Sequence, residues 1–98
     1  MTITYEDALA VLLTQFAPRW VHGTFYLDDK EIVETSDVYV FKVGAREYLV
    51  DGNTSFAFAG DVPVVYKESG ELGSLSSREV AIDPTAHIRE NPNPIFHR

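Results

Sequence analysis

At residues 38–43 the chain reads Val-Tyr-Val-Phe-Lys-Val, the strongest strand pattern in the sequence. Its β-branched and aromatic residues predict a β-strand. Because neighbouring side chains of a strand alternate, Tyr39 and Phe41 point to one side, and Val38 and Val40 point to the other. Both faces of the strand therefore need apolar cover, and we expect it at the centre of an antiparallel sheet.

Before this strand, residues 4–17 are predicted to form a helix with one apolar face. The pattern rests on apolar residues at three- and four-residue spacing, namely Tyr5, Ala8, Leu9, Leu12, Leu13 and Phe16. Thr4, with Asp7 three residues later, resembles a capping box. Pro18 is expected to end the helix, because it disfavours helical geometry at the preceding residue.

Around the central strand the apolar pattern has a period of two, which indicates an antiparallel sheet. The predicted strands are 22–27, 31–34, 38–43, 46–50, 62–67 and 72–75. A tight reversal at Gly44–Ala45 is expected to join two of them in a hairpin. The last two are expected to flank a turn at residues 68–71, in which Gly70 supplies the position with positive φ. Residues 54–61 are predicted to form a buried irregular turn, since their short apolar run fits neither period.

The last part of the chain is less regular in pattern. Asp83-Pro84 is expected to begin a single helical turn through Ile88, and Asn91-Pro92-Asn93-Pro94 cannot form regular helix. We therefore predict one domain over residues 1–90 and a loosely held tail at 91–98. The fold class is α+β, with the N-terminal helix packed on a meandering antiparallel β-sheet of about five to six strands.

The composition limits the partners that this chain can have. Its 98 residues include 8 Lys and Arg against 15 Asp and Glu, a net charge of −7. A protein that binds phosphates non-specifically needs the opposite sign, so no nucleic acid partner is expected. The lack of cysteine suits a reducing compartment such as the cytoplasm. The acidic N-terminus predicts no signal peptide, and no apolar run approaches the about 20 residues of a membrane span.

No arrangement of residues in the sequence indicates catalysis. His22, His87 and His97 are scattered singly, whereas a metal site needs ligands that converge from rigid elements. The motifs of zinc proteases, serine hydrolases and phosphate-binding loops are absent. The sequence predicts a protein that is not an enzyme and holds no metal or cofactor.

The most acidic segment is residues 28–37, where Lys30 is the only cation. Its carboxylates, the candidate partner-binding residues, are Asp28, Asp29, Glu31, Glu34 and Asp37. The spacing is not that of a calcium loop, and the two glutamates are expected on opposite faces of a strand. One interpretation is a solvated hairpin face. The other is a docking surface that speeds association with a basic protein.

Three aromatic residues have two interpretations each. Trp20, the only tryptophan, is expected to anchor the core, and the alternative is an interface hot spot. Phe56 and Phe58 either fill the core or form an exposed apolar loop.

Residues 48–72 read YLVDGNTSFAFAGDVPVVYKESGEL, with Ala-Gly-x-x-Pro followed by Ser-Gly-Glu. This stretch resembles the signature of the YrhB / immunity protein 35 family. Residues 3–8 resemble the start of that family's N-terminal helix, and residues 39–49 resemble its central hairpin. Asp61 stands where the family usually has Asn, and residues 73–77 depart from the family pattern.

The resemblance implies a small, non-enzymatic bacterial protein that binds and neutralises a cognate toxin in the cytoplasm. We expect the chain to be a monomer or a homodimer, and the sequence does not distinguish the two. An acidic body suits the masking of a basic toxin. The same resemblance leaves open a chaperone-like holdase that binds unfolded clients, which would need exposed apolar surface around Phe56 and Phe58.

Overall fold

The computed structural model describes residues 2–57 and 60–96 and has a mixed α+β architecture. Its helical segments are α1 (Tyr5–Val11), a π-helical turn (Leu12–Phe16), a 3-10 turn (Ala17–Arg19), α2 (Arg46–Leu49), a 3-10 turn (Thr54–Phe56) and α3 (Ser77–Ile82). Its strands are β1 (Phe25–Leu27), β2 (Glu31–Glu34), β3 (Val38–Val40), β4 (Val43–Ala45), β5 (Val62–Tyr66), β6 (Leu72–Leu75) and β7 (His87–Glu90). The predicted fold class is confirmed.

The strands form two antiparallel sheets. The larger has the order β6-β5-β3-β2-β7, and the smaller pairs β1 with β4. The position of β3 in the middle of the larger sheet confirms the prediction from its two apolar faces. On one face Tyr39 and Phe41 belong to the main core, and on the other Val38 and Val40 form a second cluster with Val64.

The N-terminal helix covers the first of these faces. α1 begins with the predicted capping box, in which the Asp7 backbone N–H donates to the Thr4 hydroxyl and the Thr4 N–H donates to the Asp7 carboxylate. Ala8 and Leu12 are 0% exposed beneath it. The helix continues through Phe16 and tightens at Ala17–Arg19, which contains Pro18. The second face is partly covered by α3, whose Val80 packs on the valine cluster.

The predicted hairpin between residues 38–43 and 46–50 is wrong. The Phe41 N–H donates to Pro63 in β5, but the Lys42 carbonyl accepts from Asp28 beside β1. The chain therefore changes sheets at this point, and β4 pairs with β1 in the smaller sheet. An alternation of apolar and polar residues does not show which strand is the pairing partner. The prediction therefore kept residues 43–50 beside β3, although they leave the large sheet.

Residues 46–49 are helical where a strand was predicted. Leu49 turns back over Gly44, at which a Cβ would lie 2.9 Å from the leucine Cδ1. The Glu47 carboxylate accepts from the Thr24 backbone N–H and hydroxyl. The contacts of Leu49 with Gly44 and of Glu47 with Thr24 favour a helical turn here. The β-forming residues around Tyr48 had instead favoured a strand.

Three further segments differ from the predictions. β1 begins at Phe25 instead of residue 22. The expected buried turn at 54–61 is a 3-10 turn whose first two residues are exposed and whose third, Phe56, is half-buried; residues 58 and 59 lie outside the described part of the chain. No helical turn spans 83–88. Instead α3 precedes it, with a capping box of Ser76 and Glu79, and β7 begins at its end.

The C-terminal segment is irregular, as predicted, but over residues 91–96 it is not loosely held. Asn91 is buried and donates from its side chain to the Asp29 carbonyl at 2.7 Å. The Asp29 carboxylate accepts from the backbone N–H of Ile95 at 2.7 Å and of Phe96 at 3.3 Å. Phe96 packs edge-on against Tyr26, with ring centres 5.6 Å apart. The tail therefore closes one edge of the main core.

This anchoring predicts a large difference between two neighbouring aspartates. Asp29→Ala removes a charged acceptor of two backbone N–H groups, and we expect it to lower the free energy of unfolding by about 2–3 kcal/mol. Asp28→Ala, the matched control, changes a more exposed carboxylate and should stay within about 0.5 kcal/mol. Urea denaturation of both variants measures the difference. Equal stability of the two variants would contradict the anchoring role.

Candidate functional site

Glu34 is the centre of an ionic cluster on the face of the large sheet that carries α1. Lys67 Nζ donates to Glu34 Oε1 at 2.7 Å, and Arg89 Nε donates to Oε2 at 2.8 Å. His87 Nε2 lies 3.8 Å from the same Oε2. Because these residues come from β2, β7 and the end of β5, the cluster ties three parts of the sheet together.

Tyr39 lies beneath this cluster. The Lys67 ammonium group is 4.8 Å from the centre of the Tyr39 ring, a cation–π arrangement. The Tyr39 hydroxyl donates to the carbonyl of Ile3, just before α1. Lys67 therefore reaches across β3 to its carboxylate partner, and the N-terminal segment is fixed on the same group of side chains.

The titration of the cluster follows from these contacts. Burial raises the pKa of Glu34, but hydrogen bonds from Lys67 and Arg89 outweigh burial, so this pKa lies below its ordinary value of 4.5. The hydrogen bond to Glu34 raises the pKa of Arg89. Burial, together with the charges of Asp29 and Glu6, raises the pKa of Tyr5 to about 12. At neutral pH the carboxylate is ionised, its two cations are committed to it, and the Tyr5 phenol keeps its proton.

The structure does not bring the five predicted acidic residues together. Asp29 is 1% exposed and anchors the tail, and Glu34 is buried and paired with cations, so neither presents a free charge. Asp28 and Glu31 remain accessible at the start of β2. Asp37 is exposed beyond the other end, after a strand that spans roughly 13 Å at 3.3 Å per residue. The expectation that the two glutamates point to opposite faces is confirmed.

Asp37 instead joins the carboxylates of a different turn. A cleft of about 630 Å³ lies between the β2–β3 turn and the β5–β6 turn, and Asp37, Glu68 and Glu71 line it. Its remaining lining residues are Thr2, Ser36, Tyr66, Lys67 and Ser69. Because Lys67 is bound to Glu34, the cleft presents three carboxylates without a free cation among its lining residues. We call this group the acidic cleft.

Tyr66 is the aromatic residue among those that line the acidic cleft. It is 38% exposed, and its ring lies over Gly73 on the neighbouring strand. A Cβ at Gly73 would lie 2.7 Å from the Tyr66 ring, so the glycine leaves room for this orientation. The turn itself requires Gly70, whose φ of 74° L-residues rarely adopt.

Part of this site could be predicted from local sequence patterns. Glu68 and Glu71 belong to a turn that was predicted correctly. Neither the spacing of apolar residues nor the distribution of charge along the chain shows that this turn lies beside Asp37. The backbone pairing of β3 with β5 makes them neighbours, since the Lys67 N–H donates to the Asp37 carbonyl.

Two predictions about aromatic residues have mixed outcomes. Trp20 is half-buried, and its ring packs near those of Phe16 and Phe25, which supports the anchoring role. Phe56 is half-buried beside His22, with ring centres 6.3 Å apart. Phe58 and His97 lie outside the described residues.

Within residues 2–57 and 60–96, no three His, Asp or Glu side chains are grouped so that they could hold a metal ion. Over the same residues, no helix has both the length and the apolar character for crossing a membrane. Comparisons with known proteins give no match: neither a family model, nor a curated protein, nor a solved structure matches this chain.

The ionic cluster makes stability depend on pH in a defined direction. Since the pKa of Glu34 is depressed in the folded protein, its stabilisation is present above the ordinary value and is lost as the pH falls through the folded-state value. Glu34→Gln leaves Lys67 without its carboxylate and should cost about 3 kcal/mol at neutral pH.

Urea denaturation of wild type and Glu34→Gln between neutral pH and about pH 3 tests this dependence. The difference in unfolding free energy should shrink on acidification. Glu31→Gln, on the same strand but exposed, is the control and should differ from wild type by less than about 0.5 kcal/mol. A difference for Glu34→Gln that is independent of pH would rule out the ionised carboxylate as its cause.

Proposed function

We propose that this protein is a non-enzymatic immunity protein that binds and neutralises a cognate bacterial toxin in the cytoplasm. The residues that carry the resemblance to the YrhB / immunity protein 35 family include the turn Glu68–Glu71, which lines the acidic cleft. The cleft is the single observation on which the proposal rests. The cleft favours a contact surface formed by Asp37, Glu68 and Glu71. This surface differs from the acidic segment 28–37 that the sequence predicted.

The acidic cleft has the properties of a docking site for a basic protein surface. Three carboxylates of one sign, within a concave surface, concentrate the negative potential and speed the approach of a cationic partner. Tyr66 also lines the cleft and is partly exposed. Tyrosine is a residue type enriched at protein interfaces.

Asp28 and Glu31 have a secondary role in this proposal. They remain accessible at the opposite end of β2, and they contribute to the overall negative field. Long-range charge of this kind raises the association rate more than the final affinity. The specific contacts are assigned to Asp37, Glu68 and Glu71.

The holdase alternative has less support from the structure. It required exposed apolar surface around Phe56 and Phe58, but Phe56 is half-buried beside His22. An aggregation-suppression assay on an unrelated unfolded client separates the two functions. A dedicated inhibitor has no effect in that assay, whereas a holdase suppresses aggregation.

The proposal requires a toxin-domain protein encoded beside this chain, and that protein is the partner to use. We expect co-expression of the chain to restore growth and the purified pair to bind. The lack of a toxin-domain neighbour, or turnover of a substrate by the purified chain, would contradict the proposal.

Charge reversal tests the location of the surface. In the variant Asp37→Lys, Glu68→Lys, Glu71→Lys, the association rate at low ionic strength should fall by at least about tenfold. The control variant, Asp51→Lys, Asp61→Lys, Glu90→Lys, changes the net charge equally at exposed residues outside the acidic cleft. It should lose much less.

Stopped-flow binding at several salt concentrations measures both effects. The wild-type association rate should fall steeply with salt because the attraction is screened, and that of the cleft variant should change little. Equal losses in the two variants would show that net charge acts without a defined site. A wild-type rate that does not depend on salt would remove the electrostatic mechanism.

A further inference from the structure

The outer edge of β7 has backbone groups without a partner strand. β7 is the last strand of the large sheet in the described part of the chain, and all four of its residues are exposed. Beyond it, the Asn91 N–H donates to the carbonyl of Lys30, its opposite residue. In an antiparallel ladder such hydrogen-bonded pairs alternate with pairs whose backbone groups point away from each other.

This alternation fixes the direction of each backbone group in β7. Arg89 and His87, two and four residues before Asn91, direct their N–H and C=O groups towards β2. Ile88 and Glu90 therefore direct theirs outward. Val33, the residue of β2 opposite Ile88, is consistent with this assignment. The Thr35 N–H donates to the Val38 carbonyl, and by the same alternation the backbone groups of Val33 point towards β3 and not towards β7.

The side chain of Ile88 ends an apolar row that crosses the sheet. Ile88 lies opposite Val33, Val33 opposite Val40, and Val40 opposite Val64, all on the face that carries α3. The three valines are buried or half-buried, but Ile88 is 58% exposed. The row stops at an apolar residue that lacks its next neighbour.

The sequence of β7 contains few of the features that protect an edge. Natural edge strands often carry Pro, Lys or a bulge, which discourage pairing with another chain. β7 has neither Pro nor Lys, and its four residues pair in continuous register with β2. Its shortness and its two charged residues, Arg89 and Glu90, are the protective features present, and they limit how strongly the edge can bind.

We propose that the β7 edge is a self-association surface, at which β7 of a second copy of this chain adds antiparallel to extend the sheet. In a two-fold symmetric pair, opposed residues of the two β7 strands must have their side chains on the same face of the sheet. Their backbone groups must also either both point towards the other strand or both point away from it. This condition leaves two central registers, with either Ile88 or Arg89 opposite its own counterpart. The Ile88 register continues the apolar row, whereas the other places two guanidinium groups directly opposite, which is unfavourable.

Charge favours a second copy over the toxin as the occupant of this edge. The net charge of −7 makes most contacts between copies repulsive, but in β7 Arg89 and Glu90 cancel. In the Ile88 register Glu90 lies opposite Ala86 of the other copy, so no two carboxylates meet. A basic segment of a toxin would meet Arg89 here. Because no β7 residue lines the acidic cleft, self-association leaves the cleft open.

The absence of cysteine from this chain allows a direct test by cross-linking. Opposed residues of a hydrogen-bonded pair have Cα atoms about 5.5 Å apart, within the range of about 4.4–6.8 Å that a disulfide spans. Under mild oxidation Ile88→Cys should form a covalent dimer at least about tenfold faster than Val21→Cys, through the higher effective concentration. Val21 is 94% exposed and serves as the control for random collisions.

Two further variants define the register and the backbone contribution. Arg89→Cys should cross-link no faster than the control. Ile88→Pro removes an N–H that β2 does not use, so it should keep the fold, as circular dichroism can verify, and abolish the dimer. Sedimentation equilibrium at about 0.5 mM should show dimers of the wild type, since so short an interface gives weak association.

The proposal is overturned if the wild type is monomeric at that concentration and Ile88→Cys cross-links no faster than Val21→Cys. Faster cross-linking of Arg89→Cys than of Ile88→Cys would overturn the proposed register. A wild-type dimer that Ile88→Pro leaves intact, with the fold retained, would place self-association elsewhere on the surface.

Discussion

The burial of β3 on both faces is the constraint from which the rest of the architecture follows. A strand with Tyr39 and Phe41 on one side and Val38 and Val40 on the other cannot lie at an edge or against solvent. The main core lies under α1, and the smaller valine cluster lies under α3. The cover of the second face is only partial, and it leaves Ile88 of β7 exposed.

Local patterns predicted those parts of the fold that depend on local interactions. The capping box at Thr4, the strand at 31–34 and the turn with Gly70 are each determined by residues within a few positions of one another, and all three are confirmed. The same kind of signal, Ser76 with Glu79, precedes α3, but the prediction placed the helical turn at Asp83-Pro84. The Asp-Pro pair begins no helix here, whereas the Ser76 cap does.

The other errors arise where the partner is distant in sequence. The chain leaves the large sheet after Phe41 because Asp28 donates to the Lys42 carbonyl and Thr24 bonds to Arg46 and Glu47. β7 is a strand because β2 lies beside it. A charge count has the same weakness. It grouped five acidic residues by position in the chain, whereas the fold assigns Asp29 to the tail, Glu34 to two cations and Asp37 to another turn. Burial, which the sequence does not display, separates structural carboxylates from those free to bind a partner.

The path of the N-terminal segment has a practical meaning for any polypeptide joined ahead of it. The Ile3 N–H donates to the Lys67 carbonyl, and Thr2 lines the acidic cleft. An affinity tag or a fused fluorescent protein attached before Thr2 would leave the domain at the mouth of that cleft and obstruct it. Fusion or surface immobilisation is better made at a loop that does not line the cleft, such as the one containing the exposed Gly52.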